Sequence, residues 1–374
     1  MEHNRTIPEN FFVFDPAVFA IEDNYCIIFN SLVNGVGWVE VNGERYVNEI
    51  NGTMVSDRTV HKATVPMEVL DNAQSYDVVF LPVYAHKAYF AQTGEEQRKT
   101  YAFKAPDSSK ENFNIYHISD THSSVKNPVA TASYFGDDLD LLIMNGDIPN
   151  HSGNLDQIMS IFEVASKITH GNIPIVFSRG NHDTRGGVAP YFNLYTPVTE
   201  NNKSYFTFRL GKIWGIVMDC GEDKVDEHKE YGGLAFFKPF RKKETEFIRS
   251  VVKNAKNEYE AEGVETRLVI CHIRVDISWN SHEEETYKEW IKLINEINPD
   301  VVLNGHEHIV KYMEPNRETI FGINQVPPTL VGGDPRGDDF KGLALTVKKE
   351  GLLARFTNKN KEVLEEYIID RAKR

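Results

Sequence analysis

The chain predicts an α/β fold preceded by a small all-β domain, and three observations carry that expectation. Up to residue 103 it holds short runs rich in β-branched and aromatic residues, with turn punctuation and no long helical period. From Phe113 onward, short apolar runs alternate with segments of helical period, the pattern of strands buried on both faces and their crossover helices. Polar clusters of Asp, Asn and His directly follow five of those runs, at the carboxyl ends of strands where open α/β sheets bind ligands.

In the front segment, residues 25–29, 37–41, 63–66, 77–83 and 99–103 read as strands of a small antiparallel sandwich. Asn42-Gly43 between Val39-Glu40-Val41 and Arg45-Tyr46-Val47 predicts a hairpin, because the favoured two-residue turn needs positive φ at both central positions. Residues 106–110 read as a linker, which divides the chain into residues 1–108 and 109–374. Beyond it, residues 113–119, 141–145, 173–178, 268–271 and 301–304 are the expected core strands. Helices are expected at 155–168, 242–259 and 283–297, and a hairpin around Gly211-Lys212. Strands resume at 329–331, 343–348 and 352–357.

At 374 residues there is room for one large domain and a smaller one. A net charge of -14 argues against non-specific nucleic-acid binding but leaves a phosphorylated substrate open, since bound cations reverse a local field. Cys26, Cys220 and Cys271 form no CxxC pair, which argues against a disulfide framework or a thiolate zinc site. The segment Met1-Glu2-His3-Asn4-Arg5 opens no apolar secretory stretch, and no run approaches the roughly 20 apolar residues of a membrane span. A soluble cytoplasmic protein without a membrane partner is the expectation; the oligomeric state is not encoded legibly.

The five polar clusters are Asp120-Thr121-His122, Gly146-Asp147, Gly180-Asn181-His182-Asp183, Cys271-His272 and Gly305-His306-Glu307-His308. Together they hold the carboxylates, amide and imidazoles that two transition metals sharing a bridging carboxylate require. Asp120/His122 and His306/His308 each straddle one residue, so a turn can aim both side chains one way. A single Asp or His after a strand is ordinarily a surface loop residue, and Asn-His-Asp after glycine also suits a helix cap. Five such clusters in order, each at a strand end, make one shared site the better reading. His117, His151, His170, His228 and His282 lack that pattern and are read as ordinary loop residues. Arg185, just after the third cluster, suits a forked hydrogen bond to a substrate phosphate and equally suits a solvated loop. The acidic, glycine-containing loop from Asp219 to Gly233 is a candidate rim.

As a set, the five blocks resemble the calcineurin-like metallophosphoesterase signature, over roughly residues 113–335. The resemblance implies a four-layer α/β/β/α sandwich with two metals at the strand ends. Here a small fibronectin- or immunoglobulin-like sandwich would precede it, distantly similar to the domain plan of purple acid phosphatases. Carried over, Asp120, His122 and His308 would hold one metal and Asn181, His272 and His306 the other, with Asp147 bridging. His182 would be the non-ligand histidine beside the leaving group. The implied activity is hydrolysis of a small phosphomonoester or phosphodiester by in-line attack of a metal-bridging hydroxide. Hydrolysis of a nucleotide or other phosphoanhydride is the alternative. An inactive binding scaffold ranks lower, because the ligand set and His182 are complete. The mixed N/O donors suit manganese, iron, zinc or nickel. Purple acid phosphatases carry a tyrosine three residues after the bridging Asp, where this chain has Asn150. Protein Ser/Thr phosphatases carry an Asp-Arg pair there, which is also missing, so the usual carboxylate partner of the catalytic histidine is absent.

Overall fold

The computed structural model describes residues 12–277, 282–334 and 339–374. Residues 1–11, on which the expectation of no secretory segment rests, lie outside them. The front of the chain forms β1 (Ala17–Ile21), β2 (Asn24–Val41), β3 (Glu44–Val47), β4 (Arg58–Pro66), helix α1 (Met67–Ala73), β5 (Ser75–Ala85) and β6 (Gln97–Ala102). The strands expected at 25–29 and 37–41 are two halves of β2. The register shifts between Asn30 and Gly35, so the first half pairs with β1 and β4 and the second with β3 and β5. One strand therefore serves both layers of a sandwich-like region. His61 of β4 lies between Phe29 and Phe80, with ring centroids 5.1 and 5.3 Å away. Burial drives its pKa down to about 3, so it packs as a neutral side chain. The β2–β3 hairpin turns at Asn42 (φ 51°) and Gly43 (φ 82°), as the Asn-Gly signal requires.

After the linker come β7 (Phe113–Ile118), α2 (Lys126–Ala132), β8 (Leu141–Asn145), α3 (Leu155–Thr169) and β9 (Pro174–Ser178). Then follow β10 (Phe206–Leu210), β11 (Ile213–Met218), α4 (Phe237–Lys253), β12 (Thr266–Cys271), α5 (Glu284–Ile297) and β13 (Val301–Asn304). The chain ends with β14 (Lys311–Met313), β15 (Thr329–Val331), β16 (Gly342–Val347), β17 (Gly351–Thr357) and β18 (Val363–Asp370). Helix α4 starts earlier than expected, with Pro239 in its first turn, where a missing N–H costs nothing.

One sheet runs β18-β17-β16-β7-β8-β9-β1-β2-β5, and a second runs β10-β11-β12-β13-β15-β14. Residue alternation along β12 and β13 fixes the layering. Leu268, Ile270, Val301 and Leu303 join the core shared with the first sheet. Val269, Cys271 and Val302 turn the other way, onto Ile248 of α4 and Trp290 and Ile294 of α5. Helices α2 and α3 cover the outer face of the first sheet, which completes the four layers α/β/β/α. Pairing of β11 with β12 brings the Cys220 and Cys271 sulfurs to 3.3 Å, although the two thiols are distant in the chain; both are free and buried. No helix among the described residues is long and apolar enough to cross a membrane.

Strand β1 pairs in parallel with β9, placing Val18 and Phe19 opposite Pro174 and Ile175. Phe19 also meets Phe177 edge-on at 6.1 Å. The front region therefore continues the sheet that carries three of the five clusters. A fragment of residues 109–374 would leave the β9 edge unpaired and its apolar neighbours exposed. That fragment is expected to be insoluble or to lose cooperative thermal unfolding, measured by soluble yield and circular dichroism. A soluble fragment melting like the full chain would show that the two parts fold independently.

Candidate metal centre

All five clusters leave the carboxyl ends of β7, β8, β9, β12 and β13, and they hold one another's backbone there. Asp120 (φ 56°), His122 (45°), Asp147 (53°), His306 (70°) and His308 (53°) are all left-handed non-glycine residues. Each such conformation costs on the order of 1–3 kcal/mol and persists only where its surroundings over-determine it. Here the Asp120 amide donates to the Gly146 carbonyl (3.1 Å), and that of His122 to the Asp147 carbonyl (3.0 Å). The Gly305 amide donates to the His272 carbonyl (2.9 Å), and the His306 amide to Asp120 Oδ2 (2.9 Å). A Cβ on Gly146 would lie 2.6 Å from His272 Nδ1 and 2.7 Å from Gly180, so only glycine lets these turns meet.

Side chains converge in two separate groups, and a third group links them through His122 and Asp147. Asp120, His122 and His308 form the first, and Asp147, His272 and His306 another, each with potential ligand atoms within 4.8 Å of one another. Asp147 also groups with His122 and His182. In the first group, His122 Nε2 lies 3.0 Å from His308 Nε2, which is 3.4 Å from Asp120 Oδ1. In the second, His272 Nε2 lies 3.2 Å from Asp147 Oδ2 and 3.9 Å from Asp120 Oδ1. Asn181 is buried, and its Oδ1 has no hydrogen-bond partner among the described residues. An orphaned buried carbonyl oxygen costs about 1–3 kcal/mol, a penalty that a bound cation would relieve. The donor set and this orphaned oxygen fit a pair of metal ions.

Electrostatics follow from packing imidazoles against buried carboxylates. Burial opposes charge on His272, but Asp147 and Asp120 override it and push the imidazole up to about 10. Burial alone would raise Asp147, yet His272, with His182 and His306 behind it, holds its carboxyl well below the usual range. His272 Nδ1 donates to the Asn145 carbonyl (2.7 Å), so Nε2 is the nitrogen aimed at the carboxylates. Asp183 is fully buried and accepts the amides of Gly180 (2.6 Å) and Asp147 (3.2 Å), which ties the second cluster to the third.

His182 stands beside the two groups. Its Nδ1 donates to the Asn150 carbonyl (2.8 Å), and its Nε2 lies 4.0 Å from Asp147 Oδ2. A backbone carbonyl thus does what the missing carboxylate would have done. The His151 ring stacks on it at 4.9 Å and 7°, so His151 is no ordinary loop residue. Arg185 forks onto buried Glu222 through Nε (2.5 Å) and Nη2 (2.7 Å), leaving Nη1 3.5 Å from His182 Nε2. The candidate rim loop does reach the site: Glu222 holds Arg185, and Asp223 Oδ2 lies 3.6 Å from His306 Nε2. Arg274 pairs with Glu307 (2.8 Å), fastening the His306–His308 turn to the end of β12. His117, expected in a loop, is instead wholly buried on β7, 3.0 Å from the Asn145 amide nitrogen, and burial lowers its pKa to about 3. His170 stays exposed, as expected.

A model of the calcineurin-like phosphoesterase family matches residues 113–310. No curated protein sequence matches the chain. Among solved structures it is similar to purple acid phosphatase PPD1 from yellow lupin (Lupinus luteus) seeds, at 12% identity and TM-score 0.62, over 96% of this chain and 74% of that one. It is also similar to PhoD, at 11% identity and TM-score 0.56, over 99% of this chain and 94% of that one. At these identities the likeness is one of fold, and its coverage takes in the front sandwich-like region.

Proposed function

The chain belongs to the calcineurin-like phosphoesterase family, and from that premise we propose that it is a dimetal phosphohydrolase acting on a small phosphomonoester or phosphodiester. The observation that carries the reading is Asp147, which belongs to the group of His272 and His306 and also converges with His122 of the other group. The orphaned oxygen of Asn181 belongs to the residue before His182, whose amide Asp147 accepts. In this reading Asp120, His122 and His308 would hold one ion, Asn181, His272 and His306 would hold the other, and Asp147 would be shared between them. Manganese, iron, zinc and nickel all accept this mixture of imidazole and oxygen donors. When bound, such a pair supplies a nucleophile from water near neutral pH and neutralises charge on the phosphoryl oxygens.

The remaining roles belong to side chains of this chain. His182, with Nδ1 occupied by the Asn150 carbonyl, presents Nε2 to the leaving oxygen and gives it a hydrogen bond or a proton. Arg185, fixed by Glu222, holds Nη1 beside His182 Nε2, where a phosphoryl oxygen approaching His182 would meet it. The test is chelation followed by reloading with manganese, zinc, iron, nickel or cobalt, using nitrophenyl phosphate and bis-nitrophenyl phosphate as substrates. Hydrolysis should vanish with the metal and return with it. The melting temperature should rise on reloading, because a ligand at 100 times its Kd stabilises by about 2.7 kcal/mol. No turnover of either ester with any of these metals would reject the reading.

A further inference from the structure

We propose that Asp223, on the loop after β11, is a positioning residue that orients the ring of His306 and thereby sets the affinity of one of the two metals. The inference rests on the dimetal reading above. A ligating imidazole offers one nitrogen to the ion, and its orientation is set by what holds the other. At His272 that second nitrogen is held by the Asn145 carbonyl, and the non-ligand His182 is held in the same way by the Asn150 carbonyl. At His306 a carboxylate faces the ring instead: Asp223 Oδ2 lies 3.6 Å from His306 Nε2, an ion-pair approach rather than a hydrogen bond. Asp120 accepts the His306 amide, a contact to the backbone and not to the ring.

Asp223 is not a loose surface acid. Its side chain is only 12% exposed, and its other oxygen lies 2.9 Å from Lys224 Nζ and 3.9 Å from Arg185 Nη2. The loop is braced from behind by Arg241 of α4, fully buried, which donates to the carbonyls of Cys220 (2.8 Å) and Glu222 (3.2 Å). Asp226 accepts the amides of Phe237 (2.8 Å) and Lys238 (3.1 Å) at the start of the same helix. Glu222, next in the chain, is locked onto Arg185. The carboxylate therefore arrives at His306 on a rigid support, the arrangement that makes an outer partner effective.

The experiment is equilibrium dialysis of the full-length chain against graded free zinc or manganese, with bound metal counted by mass spectrometry. The wild type should take up two ions. Asp223→Asn and Asp223→Ala should weaken one binding step by about 10–100-fold and leave the other where it was, with Asp223→Glu restoring part of the loss. Metal-free variants should melt with the metal-free wild type, which separates ring positioning from folding; if Asp223→Ala fails to fold, the isosteric Asn variant decides. Two unchanged steps, or two steps weakened equally, would overturn the proposal. A wild-type chain that binds fewer than two ions would overturn the dimetal reading instead.

Discussion

Asp147→Asn strips both metals at once and lowers kcat/KM by about 10³-fold or more, the equivalent of losing several kcal/mol of transition-state stabilisation. The size of the effect follows from the position of this carboxylate between the two ligand groups: it is a member of one and converges with His122 of the other. It is also the nearest counter-charge to His272, at 3.2 Å, so its neutralisation changes the balance of the whole buried cluster. The amide is nearly isosteric and retains an oxygen to accept the His182 amide, which Asp147 Oδ1 now accepts at 2.8 Å. Folding is therefore expected to survive, and the loss should appear in metal stoichiometry and turnover together. A variant that keeps one ion at wild-type affinity, or that turns over within tenfold of wild type, would show that Asp147 is not the bridge.

His182→Ala should lower kcat by about 10²–10⁴-fold while both ions remain bound. The penalty should be largest for alkyl esters, whose leaving oxygen needs a proton, and smaller for nitrophenyl esters, whose leaving group departs as a stable anion. Bound metal counted beside the two rates provides the check. Because Asp147, His122 and His182 also converge, loss of an ion in this variant would make His182 a ligand and reassign its role. A kcat equal to wild type on an alkyl ester would remove it from the chemistry altogether.

Much of the centre was legible because its parts are local. A strand of four to six mostly apolar residues, a glycine or tight turn, and a polar side chain are each written within a few positions, and all five clusters lie at the carboxyl ends of such strands. The partners that orient them were not legible. The carbonyls of Asn145 and Asn150 act through backbone, which leaves no trace in residue type. Glu222 and Asp223 reach Arg185 and His306 across long separations in the chain, and an acidic loop looks alike whether it packs on a site or faces water. His151 reads as a loop residue from sequence because it stacks on a residue thirty-one positions away, a relation that no local pattern encodes.

What the sequence determined by itself was the alternation of strands and helices and the inventory of ligand types, since side-chain period and turn chemistry act between neighbours. Only the tertiary structure decided that the front strands join the catalytic sheet through β1 and β9, and that five separate turns brace one another in left-handed conformations. It also decided which nitrogen of His182 and His272 is left to face the site. Those outcomes depend on the order in which strands stack and on which backbone carbonyl ends within hydrogen-bonding reach, and both are set by long-range packing.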